Sequence, residues 1–309
     1  MLNRNLLRAK IVQLVYANYK RGGQPLDAAL KELKFSIEQA YELYFYLLML
    51  IVDVTDYARL RHEVLTDWQL KHNPYEKKLE RFINNRFVDQ LEHNEQFIRF
   101  TEKPSIHHWT EAEATIKNLY TLITTSELCH TYVEDDTDDY AHDRSFWIKA
   151  YKKFIFHNEE IEAVLEEWNI YWNDDKEIID TFVQKTIKLF EQTNGGKQPL
   201  LPAYSEEESS DFAVTIFENA LSNFDAYEEL IRKHVSEDWD YKRVAPMDVV
   251  IMICAIAELC SLPSVAVNVT LNEYINLAKT YSTPKSAAFV NGILDKVVQQ
   301  LREEGKILK

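Results

Sequence analysis

The segment Thr283-Pro-Lys-Ser-Ala-Ala-Phe-Val-Asn-Gly-Ile-Leu-Asp-Lys-Val297 indicates the fold class of this chain. Its apolar residues recur every three or four positions, which predicts an amphipathic helix. Thr283 followed by Pro284 is typical of a helix start. Gly292 interrupts the helix at its centre, where glycine costs about 1 kcal/mol relative to alanine. We interpret Gly292 as a point where the backbone of another helix, 246–260 or 271–280, approaches closely.

The composition predicts an all-α protein. The chain has 309 residues, of which 46% are hydrophobic, so it can bury a substantial core. It contains only 6 glycines and 8 prolines, which favours long helices with few turns. Runs of alternating Val, Ile and Thr bounded by turn residues, typical of strands, do not occur.

The charge is distributed unevenly. The net charge of −15 divides into +5 for residues 1–24, −22 for residues 25–262 and +2 for residues 263–309. Basic ends on an acidic chain indicate either an anionic partner for the ends or a solvated acidic surface with chance variation at the termini.

The sequence also predicts a cytoplasmic protein that does not cross a membrane. The N-terminus lacks the apolar core and cleavage site of a secretory signal. The longest strongly apolar runs, Leu43–Val52 and Val249–Ala257, are shorter than the ~20 residues that a membrane span needs. The three cysteines have no metal-site spacing and are typical of a reducing compartment.

A linker divides the chain. Residues 194–210 combine Gly-Gly, two prolines and a Ser/Glu run. We therefore predict a first helix in residues 1–24, an acidic helical region in 25–204, and a second helical region in 205–309.

The helix that Pro246 opens is apolar nearly all round, which indicates a central, buried helix. Glu258 near its end needs a partner if it is buried, and Arg243 is the candidate. Further on, Thr270-Leu-Asn-Glu273 has the spacing of a capping box and predicts a helix start near Leu271.

Catalytic and cofactor motifs are absent, so we predict no enzyme activity, no catalytic residue, no cofactor and no metal site. The sequence has no phosphate-binding loop, dinucleotide fingerprint, nucleophile elbow or paired C-x-x-C. Glu127-Leu-Cys-His130 is the best enzyme-like motif, but a di-metal bundle needs a second such motif on another helix and two further Glu residues.

The ends of the chain resemble the NusB family of antitermination factors. The similarity is carried, in chain order, by "RNLLRAKIVQLVY" (4–16), "SSDFAVTIFENALSNFDAYEELIRKH" (209–234), "WDYKRVAPMDVVIMICAIAEL" (239–259) and "LNEYINLAKTYSTPKSAAFVNGILDKV" (271–297). It leaves roughly 25–205 as a long helical insertion after the first helix. As an alternative, "FSIEQAYELYFYLLMLIVDV" (35–54) resembles a further family helix and the insertion starts later. Compared with the family, the first helix has few arginines.

The resemblance implies an all-helical bundle of two three-helix units. It further implies a transcription antitermination factor that binds single-stranded boxA-like RNA with ribosomal protein NusE, and contacts the RNA polymerase elongation complex indirectly. In that role we expect the RNA-binding residues to be Arg4, Arg8, Lys10, Tyr16, Lys279, Lys285, Ser286 and Phe289. For Tyr16 and Phe289 the alternative is core packing. For Lys279 and Lys285 the alternative is a solvated surface.

A second interpretation is a protein-interaction scaffold with a NusB-like fold and weakened RNA binding. The acidic insertion and the sparse arginines favour it, whereas the basic ends and the Phe-Val-Asn-Gly helix favour RNA binding. A NusB-like domain of an RNA methyltransferase is disfavoured, because no glycine-rich cofactor loop occurs.

Overall fold

The computed structural model describes residues 3–203, 210–235 and 241–307, except for the side chains of Ser210 and Lys242. Across these ranges no β-strand is present, so the all-α prediction is confirmed. Short 3₁₀ and π-helical turns connect some of the helices. The α-helices are α1 (Arg4–Lys20), α2 (Leu26–Glu63), α3 (Asp67–His72), α4 (Pro74–Lys78), α5 (Glu80–Ile83), α6 (Arg86–Glu92), α7 (Glu95–Thr101), α8 (Glu113–Thr124), α9 (Glu127–Glu134), α10 (Tyr140–Ala150), α11 (Glu159–Trp168), α12 (Lys176–Leu189), α13 (Ser210–Ser222), α14 (Phe224–His234), α15 (Pro246–Ser261), α16 (Val267–Tyr281) and α17 (Ser286–Glu303).

The chain divides into two compact units. The terminal unit holds the chain up to Glu38 and from Ala203 onward, and the central unit holds Gln39–Pro202. Residues 25–38, which the sequence assigned to the insertion, thus belong to the terminal unit. No turn residue marks this division because it falls inside the continuous helix α2. The sequence-based boundary at 204/205 lies outside the described residues.

Helix α15 is the centre of the terminal unit. Every residue from Asp248 to Leu259 is buried, and the helix packs against α1, α13, α14, α16 and α17. A helix that is apolar on all sides has to be surrounded by other elements. The predicted start at Pro246 and the predicted burial are both confirmed.

Helix α16 begins at Val267, one turn before the predicted start. Thr270 is therefore not a helix cap. It is buried inside the helix, and its hydroxyl donates a hydrogen bond to Glu258 Oε1 at 2.9 Å. The Thr270 hydroxyl therefore bonds to a side chain of another helix, and not to a backbone N–H of its own helix as the spacing predicted.

The core of the central unit is rich in aromatic side chains. Trp109 and Trp172 are buried, and their indole N–H groups donate to backbone carbonyls of α2 at 2.8 Å. Both indole rings therefore pack in the core of the central unit. Trp68 differs, since 66% of it is exposed.

Asp53 is a buried acid of this core. It is 7% exposed, and its carboxylate accepts a hydrogen bond from the Trp109 backbone N–H at 2.9 Å. Burial raises the pKa of Asp53 to about 7, because the Trp109 hydrogen bond offsets only part of the lost hydration.

Helix α2 is, by length and composition alone, apolar enough to cross a bilayer. However, 78% of its most apolar window is buried inside the protein. The apolar character of α2 is therefore explained by the core that it helps to form.

Candidate nucleic-acid interface

Helix α1 is nearly surrounded by other elements of the terminal unit. It begins at the cap Asn3, whose side chain accepts a hydrogen bond from the Leu6 N–H at 2.9 Å. It packs against α13 and α15. Its buried apolar residues extend beyond one stripe and include Leu6, Leu7, Ala9, Ile11, Val12, Leu14 and Val15. Polar residues next to these positions, among them Arg8 and Lys10, consequently lie in the interior.

Arg8 forms a buried ion pair with Glu258. Its Nε and one terminal nitrogen donate to the two carboxylate oxygens at 2.8 and 2.7 Å, and the side chains are 2% and 0% exposed. Burial alone would lower the pKa of Arg8, but the hydrogen bond and charge of Glu258 raise it above its ordinary value. The expected Arg243–Glu258 pairing is wrong, because Arg8 occupies the carboxylate and Arg243 is exposed. A phosphate contact by Arg8 is incompatible with this burial.

Two further predicted contacts are also in the interior. Lys10 is 2% exposed. Ser286 is 2% exposed, and its hydroxyl donates to Asp248 Oδ2 at 2.8 Å, which ties the first turn of α17 to the first turn of α15. Burial removes both side chains from the candidate surface.

The other predicted residues reach the surface at two places. On α1, Arg4 and Tyr16 are partly exposed, and the Arg4 guanidinium lies 5.1 Å from the ring of Phe212. At the α16–α17 connection, Lys279 and Lys285 are exposed and Phe289 is partly exposed.

The α16–α17 connection is held in a defined conformation. The Ser286 hydroxyl interacts with the hydroxyls of Ser282 and Thr283 at 3.0 and 2.9 Å. At the end of α16, the Tyr281 hydroxyl accepts a hydrogen bond from Gln13 of α1 at 3.2 Å. Lys279 in the last turn of α16 and Lys285 at the N-cap of α17 therefore lie on either side of a connection that is fixed near α1.

The packing hypothesis for Gly292 is wrong. The residue is exposed, and a Cβ atom built on it would meet no heavy atom within 4 Å. Instead, Gly292 lines an open hollow of about 290 Å³, together with Phe289, Ile293, Lys296 and His234. The glycine faces outward because the apolar residues on either side of it take the inner face of α17.

The sequence reasoning missed a cation between two aromatic rings at the end of α1. The Lys20 ammonium lies 5.4 Å from the centre of the Tyr16 ring and 6.0 Å from that of Tyr19. Lys20 and Tyr19 are exposed. The signal was present in the spacing of Tyr16, Tyr19 and Lys20, which places all three on one side of a helix.

The E-x-x-H motif does not form a metal site in this structure. His130 is exposed and stacks on the ring of Tyr75 with centroids 4.1 Å apart. Within the part of the chain that the structure describes, no cluster of three or more His, Cys, Asp or Glu residues could hold a metal ion.

Comparison with known proteins supports the resemblance. The NusB family model matches residues 164–299. This range begins inside the central unit and leaves out α1, so the place of α1 in the terminal unit rests on its packing against α13 and α15. No solved structure matches the chain significantly.

Three curated relatives carry the name transcription antitermination protein NusB. The one from Salinibacter ruber is 33% identical, over 41% of this chain and 82% of the relative. The one from Geotalea daltonii is 33% identical, over 44% and 90%. The one from Koribacter versatilis is 37% identical, over 33% and 68%.

The identity is high enough, over most of the length of the relatives, to establish common descent. These relatives are transcription factors rather than enzymes, which confirms the prediction of no enzymatic activity. The chain described here belongs to the NusB family.

Proposed function

We propose that this protein is a transcription antitermination factor that binds single-stranded boxA-type RNA of ribosomal RNA operons together with ribosomal protein NusE. Through that complex it acts on elongating RNA polymerase. The observation that carries the proposal is the ordered α16–α17 connection, with exposed Lys279 and Lys285 and partly exposed Phe289, inside the range that the family model matches.

This surface suits single-stranded RNA. Such RNA is bound by cations at its phosphates and by aromatic rings against its unstacked bases. Lys279 and Lys285 supply the cations, while Phe289 lies one turn into α17. Arg4 and Tyr16 of α1 extend the surface, and Gln13 joins α1 to the end of α16.

A protein-interaction scaffold with weak RNA binding is the second candidate. It is favoured by the burial of Arg8 and Lys10, which leaves α1 with fewer cations at the surface. The central unit also carries 30 acidic against 18 basic residues, a net charge of −12. Such a surface suits a basic partner protein.

The test is RNA affinity measured by fluorescence anisotropy across a salt series. A boxA-like RNA and a scrambled RNA are compared, each with and without NusE. The double variant K279E/K285E should weaken binding at least tenfold and reduce the salt slope by about two, since each lysine contributes about one.

The charge-matched control is K185E/K188E on α12, where both lysines are exposed. It should bind RNA like the unmodified protein. Equal losses in the two double variants would contradict the proposed surface. Binding of NusE without any preference for boxA-like RNA would favour the scaffold.

A further inference from the structure

A second hollow, of about 680 Å³, lies within the terminal unit. Its walls are the end of α1, the loop that follows it, and the junction of α13 with α14. Its size falls within the range of about 300–1,000 Å³ that is common for small-ligand sites. None of the contacts proposed above for RNA uses it.

One wall is an exposed aromatic surface. Tyr19 is 43% exposed and stacks on Phe224, with ring centres 5.4 Å apart and planes 17° from parallel. Phe224 supports one face of Tyr19, so a planar ligand can stack without first ordering a mobile ring. The Lys20 ammonium lies over the Tyr19 ring, 6.0 Å from its centre, so a stacking ligand would take the place of this flexible side chain.

A buried amide oxygen without a hydrogen-bond partner belongs to a residue that lines the same hollow. Asn18 is 7% exposed, and its side-chain oxygen has no hydrogen-bond partner. A buried polar atom without a partner destabilises the folded protein, so its presence here needs an explanation. A ligand with hydrogen-bonding groups on its edge would provide one, because a carboxamide both donates and accepts.

Glycine keeps the mouth of the hollow open. Gly22 and Gly23 have φ values of +80° and +89°, which L side chains rarely adopt. A Cβ atom at either position would meet nothing within 4 Å. The sharp reversal after α1 is thus made by two residues that add no side chain to the entrance.

The charges at the hollow select among ligand classes. Asp225 and Glu228 line it, and they disfavour a phosphate or carboxylate inside. An aromatic surface beside a carboxamide suits a flat, neutral ring with donors and acceptors at its edge. A nucleobase has these properties, and the exposed Lys20, next to Tyr19 in the chain, can meet the phosphate that follows it.

We propose that this hollow is a nucleobase-binding pocket, in which one unstacked base of a bound single-stranded RNA stacks on Tyr19 and hydrogen-bonds to Asn18. The inference rests on the proposed RNA-binding function and adds a contact site at the opposite end of α1 from Arg4. The neutral base enters the hollow, and the phosphate stays outside because Asp225 and Glu228 repel it.

The first test replaces the stacking surface. Tyr19→Leu should weaken binding of boxA-like RNA about 5- to 100-fold, the range expected for loss of one stacked base. The salt slope should stay unchanged because no phosphate contact is lost. Tyr19→Phe keeps the ring and should bind like the unmodified protein. Equal affinities for Tyr19→Leu and Tyr19→Phe would overturn the proposal.

A second measurement tests base binding in this pocket independently of the proposed antitermination function. Four trinucleotides, each of one base type, are titrated while the side-chain amide NMR signals of Asn18 are followed, with Asn18→Ala to assign them. We expect these signals to shift with at least one trinucleotide and the shift to disappear in Tyr19→Leu. If none of the four shifts them, the pocket is refuted, even where boxA-like RNA binds elsewhere on the protein.

Discussion

Replacing Arg8 with methionine removes the cation that lies between α1 and α15. Glu258 then keeps neutral donors such as the Thr270 hydroxyl, at 2.9 Å, but loses the guanidinium that balances its charge. The carboxylate is 0% exposed, so water cannot substitute for the lost guanidinium. Arg8→Met should therefore destabilise the terminal unit strongly.

The expected size follows from the burial of both partners. Breaking a buried ion pair by removing one partner costs about 3–5 kcal/mol, because the remaining charge stays buried without compensation. Glu258→Met should cost a similar amount, by leaving the guanidinium uncompensated. The double variant R8M/E258M removes both charges and should cost much less than the sum of the two single changes.

The assay has to report on the terminal unit. Five of the six tryptophans, at positions 68, 109, 147, 168 and 172, lie in the central unit, so tryptophan fluorescence mainly follows that unit. Hydrogen exchange of the α15 amides as a function of urea reports the unfolding free energy of the terminal unit instead. The loss should depend little on ionic strength, since the pair is buried.

The reasoning would be refuted by a specific combination of results. If Arg8→Met lowered the unfolding free energy by less than about 1 kcal/mol and weakened RNA binding with a smaller salt slope, Arg8 would be a phosphate contact. The additive behaviour of the two single changes would also contradict a direct pair.

Three further predictions follow from buried or exposed groups. Asp53→Asn keeps an acceptor for the Trp109 N–H. The folded-state pKa of Asp53 is about 7, against about 3.9 in an unfolded chain, so the unmodified protein loses stability as pH rises from 4 to 7. In urea unfolding followed by tryptophan fluorescence, the variant should equal the unmodified protein near pH 4 and be more stable at pH 8 by up to about 4 kcal/mol. Gly292→Ala should raise the unfolding free energy by about 0.5–1 kcal/mol, and a lower thermal midpoint would contradict the open position of its Cβ. Ser286→Ala removes the hydroxyl bond to Asp248 and should cost about 1–3 kcal/mol in hydrogen exchange of α17, whereas a loss of RNA affinity without loss of stability would restore Ser286 as a contact.

Helix types and the buried centre of the terminal unit were predictable because they depend on local periodicity. Helix α15 shows this most clearly, since its composition predicts burial and Pro246 marks its start. The start of α16 was predicted wrongly because Thr270 has two uses for its hydroxyl, and the contact with Glu258 wins over capping. Spacing within the chain carries no information on that competition.

The residues of the candidate site were harder to predict because exposure is a tertiary property. A helix that buries a single apolar stripe leaves the flanking residues exposed, yet α1 buries Leu6 and Val12 as well as Leu7, Ile11, Leu14 and Val15. That wider burial takes Arg8 and Lys10 into the interior. The roles of Arg4, Tyr16, Lys279, Lys285 and Phe289 in RNA binding stay predictions.

Glu258 illustrates a second limit. The sequence showed that a buried carboxylate needs a cation, but the nearest arginine along the chain, Arg243, was the wrong choice. The true partner lies 250 residues away in the sequence. The spacing of residues within one segment cannot predict a pair that is so far apart.

The same separation has a consequence during synthesis. At about 5–20 residues per second, the ribosome adds the 250 residues between Arg8 and Glu258 in roughly 10–50 s. Throughout that interval α1 has been synthesised, but Glu258, the partner of Arg8, has not. Gln39–Pro202, which forms its own compact unit, emerges before α13–α17 and can fold while α1 still lacks the helices that it packs against. The first helix of this protein is thus among the last to pack into the fold. Until then its apolar residues are unburied and form a site that chaperones can bind.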